Sequence, residues 1–118
     1  MRTVAVRRQK DGMTLAKRIE CADTLLSRFV GLIGRDRLSE GQGMLFRDCS
    51  SVHTLFMSFS IDVVYLDKDL VVVGVDTHLK PWRFGGLYWR SKHVVELPCY
   101  MAGMLQKGDK LEFIEEGA

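Results

Sequence analysis

The sequence predicts an α+β fold: a compact, mostly antiparallel, β-barrel-like sheet with one main helix and one short helix. Three observations lead there. Residues 61–66, Ile61-Asp62-Val63-Val64-Tyr65-Leu66, are apolar at both parities and rich in β-branched and aromatic side chains, which suits a strand buried on both faces. Around it run six or seven short strand-like segments separated by turn residues, a pattern that favours a small closed or partly closed barrel. Residues 24–33 carry the clearest helical stripe, formed by Leu25, Leu26, Phe29, Leu32 and Ile33.

In chain order, residues 2–8 alternate weakly up to Lys10-Asp11-Gly12, and Met13–Ile19 resumes as a second strand, so the chain opens with a hairpin about an Asp-Gly turn. Asp23 or Thr24 caps the helix and Gly34 ends it in a left-handed conformation. Arg28, Arg35 and Arg37 lie on or beyond its polar side, where basic side chains are ordinarily solvated. Ser39–Gly43 is a polar loop and Gly43–Phe46 a short buried strand. Asp67–Asp69 turns the central strand into an antiparallel partner, Leu70–Val75, and residues 77–92 follow as a long connection without periodicity. His93–Leu97 is a strand stopped by Pro98, Cys99–Leu105 fits a short helix, and Gly108-Asp109 turns into the last strand, Lys110–Ile114. A carboxylate in a buried strand is costly unless a donor or water reaches it, so Asp62 is expected at the rim of the core, with Arg28 as its anchor.

The 118 residues are read as one domain, 1–118, long enough to bury a core without disulfide or metal staples. With 47% hydrophobic and 27% charged residues the composition is that of a globular rather than a disordered chain. A net charge of +2 is too small to argue for a nucleic-acid partner by itself. Cys21, Cys49 and Cys99 form no CxxC pair and are odd in number, which fits reduced thiols better than a secreted disulfide framework. Met1–Ala16 has scattered arginines and no long apolar run, and no window approaches the roughly 18–20 apolar residues of a membrane span. A soluble, cytoplasmic protein is expected. The glycines form neither GxGxxG nor a P-loop, which excludes nucleotide folds of those kinds.

Several stretches together resemble a known family. Thr24, Arg28, Gly31-Leu32, Arg35 and Leu38, followed by Gly43-Met44-Leu45-Phe46, are similar to the opening motif of the DUF192 family. Met57 and Ile61-Asp62-Val63-Val64 resemble its central block, and Val94–Leu97 with Gly108-Asp109 its closing motif. The resemblance runs from about Cys21 to Phe113, and the pieces Cys49-x-x-Val52-His53-Thr54 and Lys80-Pro81-Trp82-Arg83 look like a variant branch. Where the family commonly carries Trp-Met-Lys-Asn-Thr, this chain has Phe56-Met57-Ser58-Phe59-Ser60. The resemblance implies a compact, β-rich α+β domain. It implies no activity, since the family is named for a domain of unknown function.

Three places are chemically suggestive. Cys49 and His53, four apart, form a candidate thiolate–imidazole pair or two metal ligands, with Asp62 as the candidate orienting carboxylate. A zinc set would need two further ligands from Cys21, Cys99, His78 and His93, so no metal or other cofactor is expected. Asp62 and Glu96 are a second, weaker candidate as a paired acid and base. The third is the connection 80–93, where Lys80, Arg83, Arg90 and Lys92 interleave with Trp82, Phe84, Tyr88 and Trp89 and no acid intervenes. Such interleaving stacks flat groups and holds anions; the bland alternative is a loop capping the core with its cations snorkelling outward. The function read from the sequence is therefore a binding module for an anionic small ligand or a protein partner, through His53, Met57, Lys80, Trp82, Arg83, Trp89 and Arg90. Nucleic acid is a weaker fit as the partner. The competing readings are an enzyme using Cys49 and His53 with Asp62, and a structural or assembly subunit.

Overall fold

The computed structural model describes residues 2–24, 27 and 30–115. Their strands are β1 (Thr3–Arg8), β2 (Thr14–Cys21), β3 (Gln42–Phe46), β4 (Ile61–Leu66), β5 (Val72–Leu79), β6 (His93–Leu97) and β7 (Leu111–Glu115). All lie in one seven-stranded sheet in the order β5-β4-β6-β3-β2-β1-β7. Of its six pairings only β2 with β3 is parallel. The opening hairpin and the β4–β5 hairpin form as the turn residues predict. No helix among the described residues is long and apolar enough to cross a membrane.

The α+β, barrel-like expectation needs two corrections. First, the described residues form a sheet with one 3-10 turn, Met101–Met104, where a short helix was expected, and no main helix is delimited among them. The predicted helix over 24–33 rests on Leu25, Leu26, Arg28 and Phe29, which lie outside the described residues. Beyond them Gly31 adopts φ 52° and Gly34 φ 87°, so the winding the apolar stripe suggests is broken before Ile33. Second, the sheet does not close. Its edges, β5 and β7, meet only through a bridge between Val71 and Lys110. Antiparallel progress from that bridge carries β7 past the Asp67–Leu70 turn in one direction, and β5 past the 106–109 turn in the other. The two strands therefore overlap only at their first residues, and the sheet curls without becoming a barrel.

The curl gives the sheet two cores. β4 is buried at every position, as its unbroken apolar run requires. On the inner face Val64 and Leu66 join Val4, Val6, Ile19, Leu45, Val95 and Leu97. On the outer face Ile61, Val63 and Tyr65 pack with Met44, Phe46 and Val94, covered by Leu32, Val52 and Met57 from the connections. Each fully buried aliphatic side chain contributes about 1.5–3 kcal/mol, so both covers matter to stability.

Two acids sit inside these cores. Asp62 is fully buried, not at the rim as expected. Opposite it β5 has an extra residue, since Ile61 pairs with Leu79 but Val63 with Asp76. In that bulge His78 takes φ 54° and gives its N–H to Asp62 Oδ1 at 2.8 Å, while Ala102 N–H reaches Oδ2 at 3.0 Å. Main-chain donors thus fill the role assigned to Arg28, which lies outside the described residues. Glu96, beside Met44 and Val63 on the outer face, is 5% exposed and accepts no hydrogen bond from a described residue. Burial alone pushes its carboxyl up to about 8, so the neutral acid predominates near pH 7.

Asp62→Ala strands one buried and one part-buried N–H group and is expected to lower stability in urea unfolding by about 2–4 kcal/mol, with Asp62→Asn, which keeps one acceptor, losing less. For Glu96 the folded state holds a proton that the unfolded chain releases above its ordinary carboxylate range. Stability from this group is therefore full at low pH and falls as pH rises toward about 8. Measured as the difference between the wild-type protein and Glu96→Gln from pH 5 to pH 8, the fall should approach about 1.4 kcal/mol per pH unit.

Candidate functional site

The long connection, 80–92, is moored by Asp76 of β5. Its carboxylate accepts Tyr65 O–H at 2.7 Å, Tyr88 O–H at 2.6 Å and Gly86 N–H at 2.8 Å. The two rings pack with centroids 4.4 Å apart. A Cβ at Gly74 would run into the Tyr88 ring, and one at Gly85 into the Tyr65 hydroxyl. These glycines, which in the sequence suggest a loop free to bend, instead make room for a tyrosine pair. Burial and the Asp76 carboxylate raise both phenols, that of Tyr88 to about 12, so both remain protonated donors at neutral pH.

A second mooring joins this connection to residues 53–57. Thr54, fully buried, donates its hydroxyl to Lys80 C=O at 2.5 Å and accepts Arg83 N–H at 2.9 Å. Its own N–H reaches Arg83 C=O at 2.8 Å, and its carbonyl accepts Trp82 N–H at 3.0 Å. His53 and Phe84 form an isolated β-bridge, and the rings of Phe56 and Trp82 lie 4.8 Å apart. The side chains so gathered face solvent: Phe56 is 65%, Trp82 56% and Phe84 75% exposed. Phe56 and Trp82 also hold left-handed backbone, φ 67° and 62°, which costs about 1–2 kcal/mol for a bulky residue. Beside them an open groove of about 380 Å³ runs along the end of β5, lined by His78, Lys80, Arg83 and Gly86, with the already occupied Asp76. The Arg83 guanidinium reaches only the carbonyls of Pro81 and Trp82, and among the described residues no carboxylate forms an ion pair with Lys80 or Arg83.

The other predicted residues fall elsewhere. Trp89 and Arg90 lie beyond the Tyr88 staple, where Lys92 N–H bonds Leu66 C=O and Arg90 lines a recess with Asp67 and Asp69. That is the opposite end of the β4–β5 hairpin from Lys80, about 17 Å away at an ordinary strand rise. Trp89, 87% exposed, thus belongs to a different surface from Trp82. Met57 is buried in the wall of a separate cavity. Cys49, His53 and Asp62 are engaged apart. The Cys49 thiol donates to Ser51 C=O at 3.2 Å, His53 Nδ1 accepts Leu55 N–H at 3.2 Å, and Asp62 faces the inner core. Asp62 and Glu96 sit on opposite faces of the sheet, because Val63, not Asp62, stands beside Glu96. Among the described residues no three His, Cys, Asp or Glu side chains are grouped closely enough to hold a metal ion. The sequence reading missed Asp76 and Thr54, whose partners lie 10–29 residues away and leave no local pattern.

The fold and sequence have clear relatives. A UPF0127 protein of Pyrococcus abyssi is 34% identical over 105 residues, covering 82% of this chain and 86% of the relative. A UPF0127 protein of Thermococcus sibiricus is 30% identical over 112 residues, covering 89% and 72%. The crystal structure of a protein of unknown function from Novosphingobium aromaticivorans superposes with a TM-score of 0.77 at 21% identity, over 93% of this chain and 83% of that one. At that identity the likeness speaks to the fold alone. The DUF192 family model, described as Uncharacterized ACR, matches residues 6–113, and the chain belongs to this family.

Proposed function

We propose that this protein is a binding module for a small anionic ligand with a flat or apolar portion. Lys80, Arg83 and His78 hold the anion in the groove at the end of β5, and the Phe56–Trp82 pair receives the flat portion. One observation carries the reading: exposed aromatic rings stand beside two cations without an ion-pair partner among the described residues, all on backbone stitched to the buried Thr54. Exposed rings do not cap a core, so the bland alternative for this part of the loop is disfavoured. The strain at Phe56 and Trp82 supports the same reading, since a less bulky residue would hold that backbone at lower cost. His53 belongs to the edge of this surface through its bridge to Phe84. Trp89 and Arg90, at the other end of the hairpin, are left out of the site.

The test is an NMR titration of the labelled protein with inorganic phosphate, benzoate and a single-stranded DNA oligonucleotide. Shifts clustered at Phe56, Lys80, Trp82 and Arg83 are expected, strongest where an anion and a flat group occur together. No shifts with any probe, or shifts confined to Trp89 and Arg90, would overturn the reading. Trp82→Ala with Arg83→Ala should weaken binding at least about tenfold while changing stability by no more than about 1 kcal/mol, as befits exposed side chains. Gly74→Ala, remote from any ligand contact, displaces Tyr88 from its seat on β5. It should lower stability by about 1–3 kcal/mol and weaken binding by loosening the loop.

A further inference from the structure

The outer core contains a second cavity, independent of the groove. Its volume is about 80 Å³, room for roughly two or three water-sized groups. Phe46, Val52 and Met57 form apolar walls, Ser51 and His53 stand at the solvent-exposed edge, and Glu96 supplies the one acid. The described residues packed around Glu96 come from four elements. β3 brings Met44 and Phe46, β4 brings Val63, the 30–33 turn brings Leu32 and Ile33, and the 49–59 connection brings Val52, His53 and Met57. Besides Glu96, the ionisable described residues that these elements bring to the outer face are His53, whose Nδ1 is occupied by the Leu55 N–H, Cys49, whose thiol bonds Ser51 C=O, and Tyr65, whose hydroxyl bonds Asp76. A carboxyl nine-tenths buried, facing a cavity and without a described donor, is the kind of polar group that buried sites otherwise satisfy.

We propose that this cavity binds a primary ammonium group on a short alkyl stem, with Glu96 accepting its N–H bonds and Phe46 and Met57 packing on the stem. The described walls bring no competing cation, and the Phe46 ring and Met57 thioether tolerate positive charge next to them. Such an ammonium takes the place of the proton that Glu96 otherwise keeps, and that proton passes to solvent on binding. The volume limits the buried stem to a few carbons. The group is presented either by a free alkylamine or by the end of a lysine side chain, and the two are separable by experiment.

The labelled protein is titrated with n-propylammonium, Nα-acetyl-lysine amide and propionamide at pH 6 and pH 8. Propylammonium is expected to shift Val52, His53 and Met57, to leave Trp82 unmoved, and to bind roughly 50-fold more tightly at pH 8 than at pH 6 as Glu96 ionises. Glu96→Gln, which keeps the shape without the charge, should bind at least about tenfold more weakly. A carbon-13 titration of the Glu96 carboxyl in the wild-type protein reads the same event without relying on a variant: its midpoint should fall when propylammonium is added. Binding of the lysine derivative as well identifies a side chain as the guest; its exclusion identifies a free amine. Absence of propylammonium shifts at 52–57, an unmoved carboxyl midpoint, equal binding by Glu96→Gln, or tighter binding of propionamide that weakens at high pH would each overturn the assignment.

Discussion

The burial of β4 on both faces is the constraint from which the rest of the structure follows. A strand with apolar side chains at both parities gains its full hydrophobic contribution only if two separate covers are built. The inner cover comes cheaply, because the sheet curls on itself and its own strands supply the residues. The outer cover is made largely of connecting segments, which carry main-chain N–H and C=O groups with no ladder to satisfy them. That need explains where the polar side chains are spent. Asp62 satisfies the β5 bulge and the turn after β6, Asp76 satisfies Gly86 and two phenols, and Thr54 stitches residues 80–83 to residues 53–57. Bonds to the two carboxylates are worth about 1.5–3 kcal/mol each and the neutral ones at Thr54 about 0.5–1.5, enough together to decide which of several loop conformations persists.

The same economy separates two classes of aromatic residue in one loop. Tyr88 is turned inward, its ring against Gly74 and its hydroxyl on Asp76, and it contributes to the fold. Trp82, Phe84 and Trp89 are turned outward and contribute little burial. Because the inward residues fix the backbone, only side-chain freedom is left to the outward ones, so a contact with them would cost less ordering than one with a floppy loop. The positive φ at Phe56 and Trp82 is sustained by the hydrogen bonds around Thr54 rather than relieved by them.

What the sequence made legible was whatever depends on neighbours along the chain. Strands β1, β2, β3, β4, β6 and β7 follow from alternation and from turn residues such as Asp11-Gly12, Pro98 and Gly108-Asp109. The double burial of β4 and the meeting of residues 53–57 with the start of the 80–92 connection were also foreseeable. Closure of the barrel was not, because it depends on how far β5 and β7 overlap, which is set by two turns 39 residues apart in sequence, 67–70 and 106–109. At the described end of the helical stripe, Leu32 and Ile33 are apolar because they cover the outer core, not because they continue a helix across Gly31. The demand of Asp62 for a donor was readable; that backbone N–H groups would meet it was not, since a bulge has no side-chain signature. Pairing Asp62 with Glu96 failed for a one-residue reason: a strand turns successive side chains to opposite faces.

His53 and Thr54 set how the groove and the Glu96 cavity relate. The imidazole of His53 borders the cavity while its backbone bridges Phe84, and the next residue holds Arg83 from both its N–H and its hydroxyl. Residues 52–57 therefore form one wall of the cavity and one edge of the aromatic surface. Their electrostatic characters are nonetheless opposite. The cavity holds an acid that no described cation answers, and the groove holds cations that no described acid answers. The two sites share no described lining residue. Two unbalanced charges kept apart by packed side chains are maintained only where separation costs less than collapse. Here the neutral form of Glu96 and the solvent-exposed positions of Lys80 and Arg83 keep that cost small.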